Sequence, residues 1–216
     1  MASWAIHFRI ADWFLERIPN LNKEYFIIGN IAPDCGVPFK EKRGYDPPSE
    51  ITHYAKDGHK SDCDYDFIYN EFIKNEIDIN KKSFYIGYFV HLMTDCAFVN
   101  DITYSIVKEY GHLSANRELS RAVKREWYNL DFLYFKNNTS KSFELFKTYD
   151  GFNEPYPDFY KKNEISNRME YIVSFYNSNE PEQMTYKYTP PEMVEGFVSR
   201  MPQIIYNELI KRNVKL

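Results

Sequence analysis

Residues 81–109 constrain this chain more than any other stretch. Phe84, Gly87, Tyr88, His91, Asp95 and Phe98 recur at i, i+3, i+4 spacing, the stripe of one long helix facing a core. The stripe is apolar except for His91 and Asp95. These two lie four residues apart, so their side chains meet on one helix face. An unpaired aspartate buried there is costly. A metal or another cation removes that cost, and a hydrogen-bonded His–Asp pair inside the core is the other arrangement the spacing allows. A catalytic zinc takes such nitrogen and oxygen donors and keeps one position open for water.

The remaining pattern is helical too. Ser3 can cap a helix over 4–18, with Ile6, Ile10, Trp13, Phe14 and Ile18 at helical spacing and Pro19-Asn20 to end it. Tyr25 to Ile31 is a short apolar piece leading to Pro33-Asp34-Cys35-Gly36. Proline and glycine punctuation makes 32–50 a loop. Further helices are expected near 64–74, 115–136, 158–178 and 190–213, with 137–157 irregular. Pro202 is expected to kink or split the last helix. No strand alternation and no repeat appears. The expectation is an all-α fold of six or seven helices, or more, in a single domain spanning 1–216.

Composition narrows the function classes. Hydrophobic residues make up 44% of 216, enough for a packed globule. Net charge is −4 and the pI about 5.8, so no basic face argues for nucleic-acid binding. The start, MASWAIHFRIADWF, is broken by Arg9 and Asp12 and does not read as a signal peptide. No stretch approaches the ~18 apolar residues of a spanning helix. Cys35, Cys63 and Cys96 are odd in number and irregularly spaced, which fits reduced thiols. The expectation is a soluble, cytoplasmic protein without stable membrane insertion.

Three more residues are candidate ligands. His7 lies on the apolar side of the first helix, where a packed core histidine is the plain alternative. His53 follows the proline-rich loop. Asp34 follows Pro33 in a tight turn, where a turn or cap role is the alternative. Asp131 is either a ligand or a capped core acid. Trp127 reads as core, His59 and His112 as loop or surface residues, and Arg9 and Lys124 as surface salt-bridge residues by default, with a phosphate contact as the alternative.

The order of these features is more specific than any one of them. His7, then Gly29-Asn-Ile-Ala-Pro-Asp34, then Thr52-His53-Tyr54, then Gly87-Tyr-Phe-Val-His91-Leu-Met-Thr-Asp95 resembles the zinc-dependent phospholipase C family. That all-helical group is similar in turn to the S1/P1-type nucleases. More narrowly, MASW with H-x-R-x-A, GNIAPDCGVP and WYNLDFLYF look like a cytoplasmic bacterial branch. The resemblance covers about the first 135 residues. It implies a cluster of one to three divalent metals, zinc first, with iron or manganese as alternatives. Asp34, His53, His91 and Asp95 would hold the first ion, Asp95 would bridge to a second that also takes His7, and Asp34 would match the family's candidate general base. The family pattern also has a histidine shortly after the bridging aspartate and an H-x-x-x-E pair. Here Asp101 stands at the first position and no H-x-x-x-E occurs. Asp101, Glu126 and Asp131 are the candidate oxygen donors in their place, and would favour a harder metal.

The function expected is a metal-dependent hydrolase acting on a small-molecule or lipid phosphoester, diester or monoester, through metal-activated water. A metal-binding helical protein without catalysis is the alternative. An open coordination position reached by a cleft separates the two.

Overall fold

The computed structural model describes residues 1–39, 41, 44–55 and 58–216. Three residues of the loop expected at 32–50 (40, 42 and 43) lie outside the described residues. The described chain is all-α. In order it forms α1 (Trp4–Leu15), α2 (Lys23–Ile31), α3 (Ser49–Thr52), α4 (Tyr65–Ile68), α5 (Ile79–Phe98), α6 (Tyr104–Tyr110), α7 (Arg117–Asn137), α8 (Lys141–Thr148), α9 (Glu164–Asn177) and α10 (Pro191–Lys211). Among the described residues the strands are only a two-residue antiparallel pair, β1 (Val37–Pro38) and β2 (Tyr45–Asp46), inside the expected loop.

Two segments are more ordered than the sequence pattern implied. The apolar piece at 25–31 is part of α2, because Asn22 accepts from the backbone N–H groups of Glu24 and Tyr25 and so starts a helix. The stretch 137–157, expected to be irregular, contains α8. Ser140 caps it by accepting from Phe143 N, and Phe143 and Phe146 bury its apolar side. Pro202 sits inside α10 and does not split it. The long helix expected at 81–109 is continuous through α5 and α6, joined by a π-helical turn at Val99–Thr103.

α2 and α5 pack backbone to backbone, and two glycines make it possible. A Cβ on Gly29 would lie 1.9 Å from the carbonyl oxygen of Phe84, and one on Gly87 would lie 2.0 Å from that of Phe26. The two backbones therefore touch directly. This crossing sets the site, because Asn30 lies one residue beyond Gly29 and His91 one turn beyond Gly87. Around it, buried apolar side chains from Ala2 to Val214 form one contiguous core, dominated by phenylalanines such as Phe8, Phe14, Phe26, Phe84 and Phe98. Among the described residues, no helix is long and apolar enough to cross a membrane.

Candidate metal centre

Asp34, His53, His91 and Asp95 converge. Each offers one donor atom, and the four atoms lie within 4.8 Å of one another. His91 and Asp95 come from adjacent turns of α5 and are fully buried. Asp34 ends a 3-10 turn (Ala32–Asp34) that follows α2 directly. The Tyr160 hydroxyl donates to Ala32 O at 2.6 Å and pins that turn. His53 caps the C-terminus of α3, and the Tyr88 hydroxyl of α5 donates to Thr52 O beside it. His7, on α1, stacks on the His91 ring with centroids 3.9 Å apart, its Nε2 3.5 Å from Asp95 Oδ1.

Hydrogen bonds decide which atoms are free to ligate. His91 Nδ1 lies 2.9 Å from Asn30 O, which can only accept. The proton is therefore on Nδ1, and Nε2 presents its lone pair to the cluster. The Asn30 side chain in turn donates to His7 O at 2.8 Å, tying α1, α2 and α5 together at one buried amide. His53 Nδ1 is 2.8 Å from Thr52 Oγ1, so its Nε2 also faces inward, 3.1 Å from His91 Nε2. Asp95 Oδ1 accepts from Ala2 N at 2.7 Å, while both ring nitrogens of His7 are buried without a hydrogen bond. Two imidazole nitrogens facing each other beside two carboxylates call for positive charge between them. The donor set and its unpartnered atoms fit a divalent cation.

One cation of the chain's own already sits there. Lys60 opens a short 3-10 turn (Lys60–Asp62). Its Nζ donates to Asp34 Oδ1 at 3.0 Å and to His53 Nε2 at 2.6 Å, and it pairs with Asp95 Oδ2 at 3.0 Å. Burial alone raises the Asp34 and Asp95 carboxyls, but Lys60 and the surrounding histidines outweigh it and hold both well below 3.8. His7 moves down to about 4, because burial and the neighbouring His91 oppose its protonation more than Asp95 favours it.

The cluster opens on one side. Asp34, His53 and Lys60 line a pocket of about 810 Å3, while His7, His91 and Asp95 lie behind them. The other walls are aromatic, with Trp4, Trp127, Tyr128 and Tyr171. They carry two further cations, Lys124 and Arg168. The Arg168 guanidinium lies over the rings of Trp4 and Tyr171, at 5.0 and 4.6 Å, and its Nε has no hydrogen-bond partner.

The structure puts the other sequence candidates elsewhere. Asp101 is paired with Arg200 at 2.6 Å near the surface. Both Glu126 carboxylate oxygens accept from the backbone N–H groups of Lys187, Tyr188 and Thr189, at 2.7 to 2.9 Å, so this acid anchors the loop before α10. Asp131 accepts from the hydroxyls of Ser3 and Tyr176. Arg9 pairs with Glu195, and Trp127 is both core and pocket wall. His59 and His112 are exposed. Lys60, Asn30 and Arg168 were not singled out in the sequence. Only Asn30 carried a signal, as the residue after Gly29 in the G-x-x-x-P-D pattern.

Residues 6–98 match the family described as zinc dependent phospholipase C, which bears out the resemblance seen in the motifs. That segment holds His7, Asp34, His53, His91 and Asp95, and stops short of Asp101, Glu126 and Asp131. No curated protein and no solved structure matches the chain.

Proposed function

We propose that this chain, of the zinc dependent phospholipase C family over residues 6–98, is a metal-dependent phosphoesterase whose substrate enters the aromatic pocket. The observation that carries this reading is a buried Asp–His–His–Asp cluster open to a pocket on one side only. A closed structural metal site would have its donors sealed on every side. This one presents Asp34 and His53 to an opening wide enough for a phosphoester.

Asp34, His53, His91 and Asp95 would hold the cation, with His7 behind Asp95 as a further donor. A bound divalent ion supplies a water acidic enough to ionise near neutral pH and draws charge from the phosphoryl oxygens. The chain's own groups do the rest. Asp34, ionised and on the pocket side, takes the proton of the attacking water. The His91 Nδ1–H to Asn30 O bond fixes that ring in the ligating tautomer, and the His53 contact with Thr52 orients the second ring. Lys124 and Arg168 face the same space and bind the non-bridging oxygens. Trp4, Tyr128 and Tyr171 exclude water and suit a substrate with an apolar or ring-bearing part, a lipid phosphoester among them. The three unpaired cysteines support a reducing, cytoplasmic setting.

Metal content of untagged protein, wild type beside His91→Ala, tests the reading, followed by a panel of phosphodiesters and phosphomonoesters. Near-stoichiometric metal lost in the variant, with turnover of at least one substrate class by the wild type, is the expected result. Wild-type protein that takes up no metal on reconstitution would refute it.

A further inference from the structure

The position of Lys60 says more than that the site is cationic. Its ammonium touches acceptor atoms of three of the four clustered residues: Asp34 Oδ1 (3.0 Å), His53 Nε2 (2.6 Å) and Asp95 Oδ2 (3.0 Å). A metal bound to those atoms sits about 2.0–2.2 Å from each. It would therefore share the space of the nitrogen, so the two cations exclude each other. Sterically the lysine can leave. Lys60 lies on a short surface turn, its side chain is 14% exposed, and it lines the pocket of about 810 Å3.

We propose that Lys60 is a displaceable internal cation: it holds the cluster together in the metal-free protein, and on metal binding it swings into the pocket to become a third cation facing the substrate phosphate. This rests on the reading of the cluster as a divalent metal site. Two consequences follow from mass action. The metal-free protein stays folded, because Asp34 and Asp95 are not left buried without counter-charge. The apparent metal affinity is set by how often the lysine is out. A lysine-in state populated at about 90–99% weakens it by roughly 10- to 100-fold.

Lys60→Met removes the ammonium and keeps most of the side-chain volume. The first measurement is zinc affinity, by competition with a chromogenic chelator. Lys124→Met serves as the comparison, since it removes an equal charge from the pocket without touching the cluster. Lys60→Met should bind zinc about 10- to 100-fold more tightly than wild type, with Lys124→Met much closer to wild type. The second measurement is melting with and without zinc. Metal-free Lys60→Met should melt about 5 °C or more below metal-free wild type, and zinc should close that gap. The third is lysine acylation read by mass spectrometry on the wild type. Lys60 should be protected without zinc and become reactive when zinc is added. If zinc binds all three proteins with the same affinity, or Lys60 stays protected in the zinc-loaded protein, the exchange is wrong while the metal site stands. If zinc binds neither wild type nor Lys60→Met, the metal reading fails and the exchange with it.

Discussion

Gly87→Ala reverses the usual sign of its substitution class, and the crossing of α2 and α5 is the reason. Inside a helix, alanine is favoured over glycine by about 1 kcal/mol. At Gly87 the added Cβ would lie 2.0 Å from Phe26 O and 2.8 Å from Asn30 N, where ordinary contact begins near 3.4 Å. Both partners are backbone, so no side chain can rotate away, and α2 must retreat by more than an ångström. Overpacking of this kind costs ~1–3 kcal/mol and more where the walls are rigid. The net expectation is a loss of about 2 kcal/mol by urea denaturation of chelator-treated protein. Gly196→Ala in α10 is the internal control, because its Cβ would meet nothing closer than Arg200 Nη1 at 3.9 Å. It should gain a few tenths to about 1 kcal/mol. The same retreat of α2 stretches the 2.9 Å bond from His91 Nδ1 to Asn30 O, so Gly87→Ala should also weaken metal binding. A Gly87→Ala protein as stable as wild type would refute the direct backbone contact.

Three further outcomes are expected. Burial lifts the Asp131 carboxyl from 3.8 to about 7 against the lowering hydrogen bonds from Ser3 and Tyr176; the folded state then keeps a proton the unfolded chain has released, so stability falls as pH rises from about 4 to 7, by at most about 4 kcal/mol, and levels off above. His7, lowered to about 4, costs stability in the opposite direction as pH falls below about 6.5, so the Asp131 contribution is read as the difference between wild type and Asp131→Asn in urea melts at pH 5 and pH 8; equal slopes would remove it. Glu126→Ala strips three backbone N–H groups of their acceptor and should cost about 3 kcal/mol, yet leave zinc affinity unchanged; lost zinc would instead make Glu126 a ligand. Arg168→Ala should raise KM for a phosphoester by about tenfold, the worth of one charge-assisted contact of roughly 1.4 kcal/mol, with metal content intact; an unchanged KM would take Arg168 out of substrate binding.

Much of the architecture was legible because it repeats. The stripe from Phe84 to Phe98 is period information, and a helix carrying it has to put His91 and Asp95 together. Asp34 and His53 sit in turns with no period of their own and were legible only through the order of short motifs; His7 shares the periodic face of α1, where only that order separates a ligand from a core histidine. The segments whose structure departs from the sequence pattern lack periodicity for a physical reason. The nine residues of α2 are apolar on most sides because the helix is wrapped by α1, α5 and α8, and α8 is only eight residues long. Lys60 was not visible at all. It is one of 27 basic residues, on a turn with no hydrophobic pattern, and its meaning comes from side chains up to 35 positions away. The same holds for Glu126, whose partners lie more than 60 residues on.

Charge balance links the exchange at Lys60 to the chemistry proposed for the pocket. In the metal-free protein Asp34, Asp95 and Lys60 together sum to a net charge of −1. A divalent ion added to that set without loss of the lysine would leave +1 in a site that is largely out of water, and would press two cations into one space. With the lysine displaced, Asp34, Asp95 and the ion sum to zero, which is the least costly state for a buried site. The displaced ammonium then joins Lys124 and Arg168 on the pocket side, where positive charge is useful only if an anion arrives. A phosphomonoester dianion draws on all three cations, whereas a diester carries one negative charge and needs fewer. The monoester should therefore lose more on Lys60→Met than the diester, with kcat/KM falling further for the dianion. No loss on either substrate would leave Lys60 a role in the metal-free protein alone.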